Sequence, residues 1–243
     1  MTDDLTLESY VRFFDNLVYV HITLETLWLA LLTASITLML SFPLALALVR
    51  MPASWRLPTM FLVVLSFWTS VVVRAFGWMV LLGDSGLVNR ALSQIGIGPL
   101  PLMYNQTGVI VGLVHVMVPI MVFPIYASLA SIDPHLEEAA EGLGATRTQR
   151  FIRINIPLAM PGILSGVLLV FLITAGFYVT PALLGGGRVL VISSVIIQQV
   201  GSLNYPFASV LSLILVIVAL ASSLVLARLI GRDKVEGGLF GGY

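Results

Sequence analysis

Five long apolar runs dominate this chain, at about residues 24–49, 58–82, 107–130, 158–182 and 207–230. Each exceeds the roughly 20 residues that a helix, rising 1.5 Å per residue, needs to cross about 30 Å of hydrocarbon. Only helices and closed barrels satisfy every backbone polar group inside lipid. The runs are continuous rather than alternating, so they predict helices and not barrel strands. Hydrophobic residues make up 58% of the 243 positions and charged residues 10%, well below the roughly 25% charge of a soluble domain. The chain is therefore expected to be all-α and polytopic, with five spans, a short segment before them (1–23) and a tail after them (231–243).

The few charges set the expected orientation. Arg50 and Arg56 lie in the link after the first run, Arg147, Arg150 and Arg153 in the loop at 131–156, and Arg228, Arg232 and Lys234 at the end. That puts eight of the twelve Lys and Arg on one side, against Arg12, Arg90 and Arg188 on the other. By the positive-inside rule the N-terminus is periplasmic, and the 131–156 loop and C-terminus are cytoplasmic. The acidic start, with Asp3, Asp4, Glu8 and Asp15, lacks the basic n-region of a signal peptide. Arg188–Pro206 is apolar but too short to cross and return, so it is read as a short helix at the outer face.

Several chemistries lack a seat. Net charge is zero, which offers nothing to nucleic acid, and no Cys is present for disulfides or thiolate sites. Gly185-Gly186-Gly187 is no phosphate loop, because the sole Lys is Lys234 and no Gly-Lys-Ser/Thr can exist. No His-Glu-x-x-His occurs, and no Ser-His-Asp set sits on matching elements. No catalytic residue, metal site or cofactor is expected.

One polar island interrupts the apolar chain, EAAEGLGATRTQRFIRINIP from Glu138 to Pro157. Asp133 before Pro134 predicts a helix start, since Pro supplies a preset φ where its missing N–H costs nothing. Leu136, Ala139, Ala140 and Leu143 recur at i, i+3, i+4 and i+7 as an apolar face, flanked by Glu137, Glu138 and Glu141. Gly144 is placed for a left-handed termination. Thr146 and Gln149 then predict a capping box for a second short helix carrying Arg147, Arg150 and Arg153. Such a pair of helices serves two purposes equally well on the residues alone, lying on lipid headgroups or docking into a groove of another protein.

The spacing Glu138-Ala139-Ala140, three residues, Gly144, nine residues, Ile154, one residue, Ile156-Pro157 resembles the EAA loop of the membrane subunits of bacterial ABC importers. Ile156 stands where Leu is usual. Further stretches are similar to the spermidine/putrescine-type permeases of that family, including Arg74-Ala75-Phe76-Gly77-Trp78, Ser131-Ile132-Asp133-Pro134, Pro157-Leu158-Ala159-Met160-Pro161-Gly162 and Phe177–Gly186. Members usually carry a further span ahead of the stretch matching Leu7–Phe14, which leaves open whether one precedes this chain.

The resemblance implies a type I ABC importer permease fold and a role as half of a translocation pathway for a small organic solute, polyamine-like or amino-acid-derived. It implies as partners a second permease, two ATP-binding subunits, a periplasmic solute-binding protein and the bilayer. Leu136, Glu137, Glu138, Ala139, Ala140, Leu143, Gly144 and Arg147 become candidates for coupling to the ATPase. A secondary transporter or a structural membrane subunit is the rival reading that the loop argues against.

Trp68, Arg74, Trp78, His115, Phe177, Tyr178 and Thr180 are the candidate pathway residues. Arg74 costs at least about 2.5 kcal/mol at mid-bilayer, so it either snorkels to the outer headgroups, pairs with an acid such as Asp84, or stands at the outer mouth. A His at position 115 is more often a hydrogen-bonded packing residue than a ligand, and the aromatics also suit interface belts and cores. Pro43, Pro119, Pro124, Pro161 and Pro181 are candidate bending points.

Overall fold

The computed structural model describes residues 8–231, with side chains through Arg228, so the expected acidic start at 1–7 and the basic tail at 232–243 lie outside the described residues. Every regular element among the described residues is helical. Helix α1 covers Glu8–Asp15 and α2 covers Leu17–Arg50. They are followed by α3 (Ala53–Trp68), α4 (Val71–Leu82), α5 (Leu87–Gln94) and α6 (Gln106–Ala130). The polar loop holds α7 (Pro134–Gly142) and α8 (Arg147–Arg150), and a π-helical turn at Phe151–Asn155 leads into α9 (Ile156–Gly176). Last come α10 (Val179–Leu184), α11 (Ile192–Gly201) and α12 (Tyr205–Gly231). Among the described residues, five helical segments are long and apolar enough to cross a membrane: Leu17–Arg50, Val71–Gln94, Gln106–Ala130, Arg147–Gly176 and Tyr205–Arg228.

Local chemistry explains where several helices begin, and three expected boundaries move. The first span starts at Leu17 rather than 24, because Asn16 caps it: its side-chain oxygen accepts from the Val18 N–H at 3.1 Å. The second, expected as one span over 58–82, is two helices separated at Thr69 and Ser70. Ser70 takes an extended conformation at the N-cap of α4, with φ −54° and ψ 135°, and makes no side-chain cap hydrogen bond. The fourth, expected over 158–182, begins at Arg147 and ends at Gly176, with α10 following as a separate turn.

The chain divides into two compact units. The first comprises residues up to Thr33, Thr69–His115 and Phe171–Ser222. One of its cores gathers Phe13, Ile22, Ile192, Val195, Phe207, Leu211 and Leu215. Tyr19 meets the Phe207 ring edge-on at 5.0 Å, and the Arg12 guanidinium lies 4.5 Å above the same ring. A second core gathers Leu29, Val109, Leu113, Leu184 and Val191. Thr26 ties α2 to α11 beside the first core, since its hydroxyl donates to the Ile22 carbonyl and accepts the Ile192 N–H at 3.0 Å. That N–H is an orphan of the first turn of α11, whose own N-cap Val191 supplies no side-chain acceptor. Asn89 organises the connection after α4, donating to the carbonyls of Gly83 and Leu100 and accepting the Leu100 N–H.

The second unit comprises Ala34–Trp68, Val116–Val170 and the chain from Ser223. Small residues let its helices approach closely, as membrane packing favours. Gly162 of α9 sits against the Pro124 carbonyl of α6, and the Ser128 hydroxyl donates to the Leu158 carbonyl at 3.3 Å. Ser41 of α2 donates to the Val118 carbonyl, also at 3.3 Å, and Phe42 meets Phe151 edge-on at 5.6 Å.

Candidate coupling loop and solute pathway

The polar loop belongs wholly to the second unit. Its first helix starts as Asp133-Pro134 predicts, with the Asp133 carboxylate accepting the His135 N–H at 3.0 Å. Gly144 has φ +81°, left-handed, and the Ala145 N–H bonds back to the Ala140 carbonyl at 2.9 Å. The Thr146 capping box is complete, the Gln149 side chain accepting the Thr146 N–H at 2.8 Å and the Thr146 hydroxyl the Gln149 N–H at 3.3 Å. Both helices of the island thus form for the reasons their residues give.

The second helix is not the separate short element expected. It runs from Arg147 through the π-helical turn into α9 as one helical stretch. Pro157 accounts for the turn: an α-helical register would clash its ring with the carbonyl of residue 153, and widening by one residue relieves this. The Ile156 N–H accordingly bonds to the Phe151 carbonyl, five residues back.

The acidic flank also divides. Glu137 turns inward and pairs with Arg50 at the end of α2 at 3.7 Å, while Glu141 pairs with Arg150. Glu138 remains largely exposed, 3.2 Å from the His135 ring Nδ1. The apolar ridge is uncovered, with Leu143 at 89% and Leu136 at 49% exposure and Ala139 beside them. Ala140 is half-buried, and Arg147 is exposed at the start of α8. The result is an apolar strip with a carboxylate at its edge, braced from behind by two ion pairs. Arg50 was not picked out as a partner, because pairing across distant segments leaves no local sequence signal, whereas His135, three residues before Glu138 on the same helix, was a local pairing that the sequence reading missed.

Of the candidate pathway residues, Arg74, Trp78, His115, Phe177, Tyr178 and Thr180 fall in the first unit. Arg74 and Trp78 stand one turn apart on α4. The Trp78 indole N–H donates to His115 Nδ1 at 3.3 Å, with the rings edge-on at 5.6 Å. Arg74, Trp78 and His115 are thus joined through the turn of α4 and the indole hydrogen bond. His115 is exposed on an otherwise buried stretch of α6. Trp78 and Phe177 both pack on the Leu29–Val191 core, Tyr178 is half-buried, and Thr180 is 1% exposed. Trp68 lies in the other unit at 84% exposure. At one end of the first unit, Glu25 accepts from the Gln106 side chain at 3.0 Å and lies 3.8 Å from His21, beside a cavity of about 590 Å³ that Arg188 also lines. Asp84, Phe76 and Tyr104 line another cavity, of about 650 Å³.

Residues 12–232 match the family described as binding-protein-dependent transport system inner membrane component. The spermidine/putrescine transport system permease protein PotB of Escherichia coli is 38% identical over 216 residues, covering 88% of this chain and 78% of its own. PotB of Haemophilus influenzae is 37% identical over 212 residues, covering 86% of this chain and 74% of its own. The inner membrane ABC transporter permease protein YdcU of E. coli is 30% identical over 232 residues, 89% of this chain and 74% of its own. A chain of a bacterial ABC transporter that imports the acidic polysaccharide alginate superposes with a TM-score of 0.73 at 23% identity, over 96% of this chain and 86% of that one. At that identity the likeness concerns the fold. The chain belongs to the binding-protein-dependent transport system inner membrane component family and is a membrane-spanning permease subunit of a type I ABC importer.

Proposed function

We propose that this subunit forms half of the translocation pathway for a small cationic organic solute of polyamine type. A second, related permease supplies the other half, two ATP-hydrolysing subunits dock on the α7 ridge, and a solute-binding protein delivers from outside. The ends are oriented with Met1 outside and Tyr243 and the α7 loop inside. The uncovered, braced ridge of Leu136, Ala139 and Leu143 carries the coupling reading. It suits insertion into a groove, with Glu138 and Arg147 at its rim to meet opposite charges. A rigid-body movement of the ATPase pair is then passed into α9 through the continuous helix from Arg147.

The solute class rests on similarity to the PotB proteins, named for spermidine/putrescine transport. Trp78, Phe177 and Tyr178 offer aromatic faces to a cation, at up to about 2 kcal/mol when desolvated. The Arg74–Trp78–His115 cluster favours a second reading, a solute that also bears a carboxylate, as an amino-acid derivative does. Assembly with the partner subunits and binding protein in proteoliposomes, with ATP hydrolysis as the readout, separates them. Spermidine or putrescine stimulates hydrolysis if the first reading holds. Stimulation by carboxylate-bearing solutes alone, lost in Arg74→Gln, overturns it.

A further inference from the structure

Asp84 follows the end of α4, and its carboxylate makes no ion pair or side-chain hydrogen bond with another described residue. It is exposed on the wall of the cavity of about 650 Å³, which lies within the first unit. Two exposed aromatic side chains share that wall, Phe76 at 53% and Tyr104 at 45%. Phe76, Met79 and Val80 recur at i, i+3 and i+4 on one face of α4, which gives the cavity an apolar strip one turn before the acid.

Tyr104 is held firmly. Its backbone is left-handed at φ +58°, its N–H donates to the Leu184 carbonyl at 3.0 Å, and its ring lies on the Gly186 backbone, where a Cβ would strike it. A bulky residue keeps such a backbone only where its surroundings fix it. The same glycine turn carries Arg188, whose N–H bonds to the Gly185 carbonyl at 2.9 Å.

Arg188 lines this cavity and also the cavity of about 590 Å³ that holds Glu25. It forms no ion pair with either carboxylate. Glu25 is engaged by Gln106 and His21, so Asp84 is the acid left open. A metal ion wants several oxygens converging on one point. A single carboxylate beside two aromatic faces and an apolar strip suits an alkylammonium instead.

We propose that the Asp84 cavity receives one ammonium of a polyamine before it enters the pathway, and that Arg188 is the competing cation this ammonium displaces. The ammonium meets the carboxylate beside Phe76 and Tyr104, its methylenes lie on Met79 and Val80, and the Arg188 side chain withdraws toward Glu25. Competition keeps capture weak, as a conduit that must release its solute requires. The inference rests on the polyamine reading of the pathway and adds where the solute is first held and what limits that hold.

The test measures saturable binding of labelled putrescine to the assembled importer in lipid nanodiscs, without binding protein. Asp84→Asn is expected to weaken it about tenfold, through loss of a charged hydrogen-bond acceptor. Phe76→Leu weakens it about two- to fivefold, the loss of one ring at an exposed site. Arg188→Gln acts in the opposite direction and tightens binding about two- to fivefold, a gain that damage to the fold would not produce. No saturable binding in the parent protein, unchanged binding in both Asp84→Asn and Phe76→Leu, or weaker binding in Arg188→Gln overturns the proposal. The last result makes Arg188 a contact for a carboxylate-bearing solute. ATP hydrolysis stimulated by polyamine-loaded binding protein is read on the same preparations. Stimulation with putrescine binding indifferent to Asp84 overturns the site alone, and absent stimulation overturns the polyamine reading and the inference with it. If Asp84→Asn fails to assemble, Phe76→Leu and Arg188→Gln decide.

Discussion

Gly162→Ala sets the closest approach of α6 and α9 against the general preference of helices for Ala over Gly. A Cβ at 162 would fall on the Pro124 carbonyl oxygen, 2.5 Å from Ser128 Cβ and 3.0 Å from the Pro124 carbonyl carbon. Ordinary contact begins at 3.4 Å, so relief at the Pro124 oxygen requires the helices to separate by about 1.1 Å, and the obstacle is largely backbone that cannot rotate aside. A gap of that size forfeits a quarter to a half of each pairwise attraction across the contact, and overpacking costs about 1–3 kcal/mol. The gain in helix propensity, about 0.8–1 kcal/mol, offsets only part. The 3.3 Å bond from Ser128 to the Leu158 carbonyl crosses the same contact and stretches with it. One turn on, Gly166→Ala is the control: its Cβ would meet the Met121 and Pro124 side chains at 3.3 Å and the Met121 carbonyl at 3.4 Å, which small shifts absorb. The assay is the fraction of assembled importer that stays monodisperse after heating. At about 2–4 °C per kcal/mol for a chain of this size, Gly162→Ala lowers the midpoint by several degrees and Gly166→Ala by far less. Equal shifts in the two variants refute the packing argument.

Gly144→Asp places a side chain at φ +81° with open space around it, so its cost is the backbone's, about 1–2 kcal/mol. With Glu138→Lys it is expected to reduce ATPase copurification while membrane insertion stays intact, and normal copurification in both contradicts the docking role. Single Cys residues report orientation cleanly because the chain has none: an impermeant reagent on intact cells labels position 90 and not position 147, and the reverse pattern inverts the topology. A double-mutant cycle on Arg50→Ala and Glu137→Ala gives a coupling below about 1 kcal/mol, because the side chains are 55% and 33% exposed, and falls with added salt. A salt-independent coupling of several kcal/mol shows instead that the pair is desolvated in the assembly.

What could be read from the sequence was local. Asp133 with Pro134, Thr146 with Gln149, and Gly144 each act over four residues or fewer, so their geometry follows from adjacent side chains whatever the rest of the chain does. Apolar run length located the spans for the same reason. The break at Thr69–Ser70 was hidden because both flanks are equally apolar, and hydropathy does not distinguish a straight helix from an interrupted one. Glu137 and Glu138 look alike in sequence. Only the position of Arg50, 87 residues earlier, makes one an inward brace and leaves the other outside. The Trp78–His115 bond and the burial of Asn155 are likewise products of packing between segments.

For the proposed docking of an ATPase subunit on the α7 ridge, the bracing changes what the loop can transmit. A coupling segment tethered only at its ends would absorb a displacement by bending at Gly144, where the chain is bound by turn hydrogen bonds alone. Here α7 is held by Glu137 to the end of α2, and Glu141 reaches across Gly144 to Arg150 on the next helix. That second pair closes the turn, so a push on Leu143 moves α7 and α8 together. From α8 the helix continues without a loop into α9, and its one irregularity, the π-helical turn, packs through Phe151 on Phe42. Displacement of the ridge is then borne by α2 and α9 together, not dissipated in the linker. Arg150 tests this better than any ridge residue. Its side chain is only 14% accessible, and Arg150→Ala reopens the hinge at Gly144 while leaving Leu136, Ala139 and Leu143 in place. ATPase docking should survive that change while transport per ATP hydrolysed falls; loss of docking and transport in equal measure would show that the brace shapes the ridge and does not carry its motion.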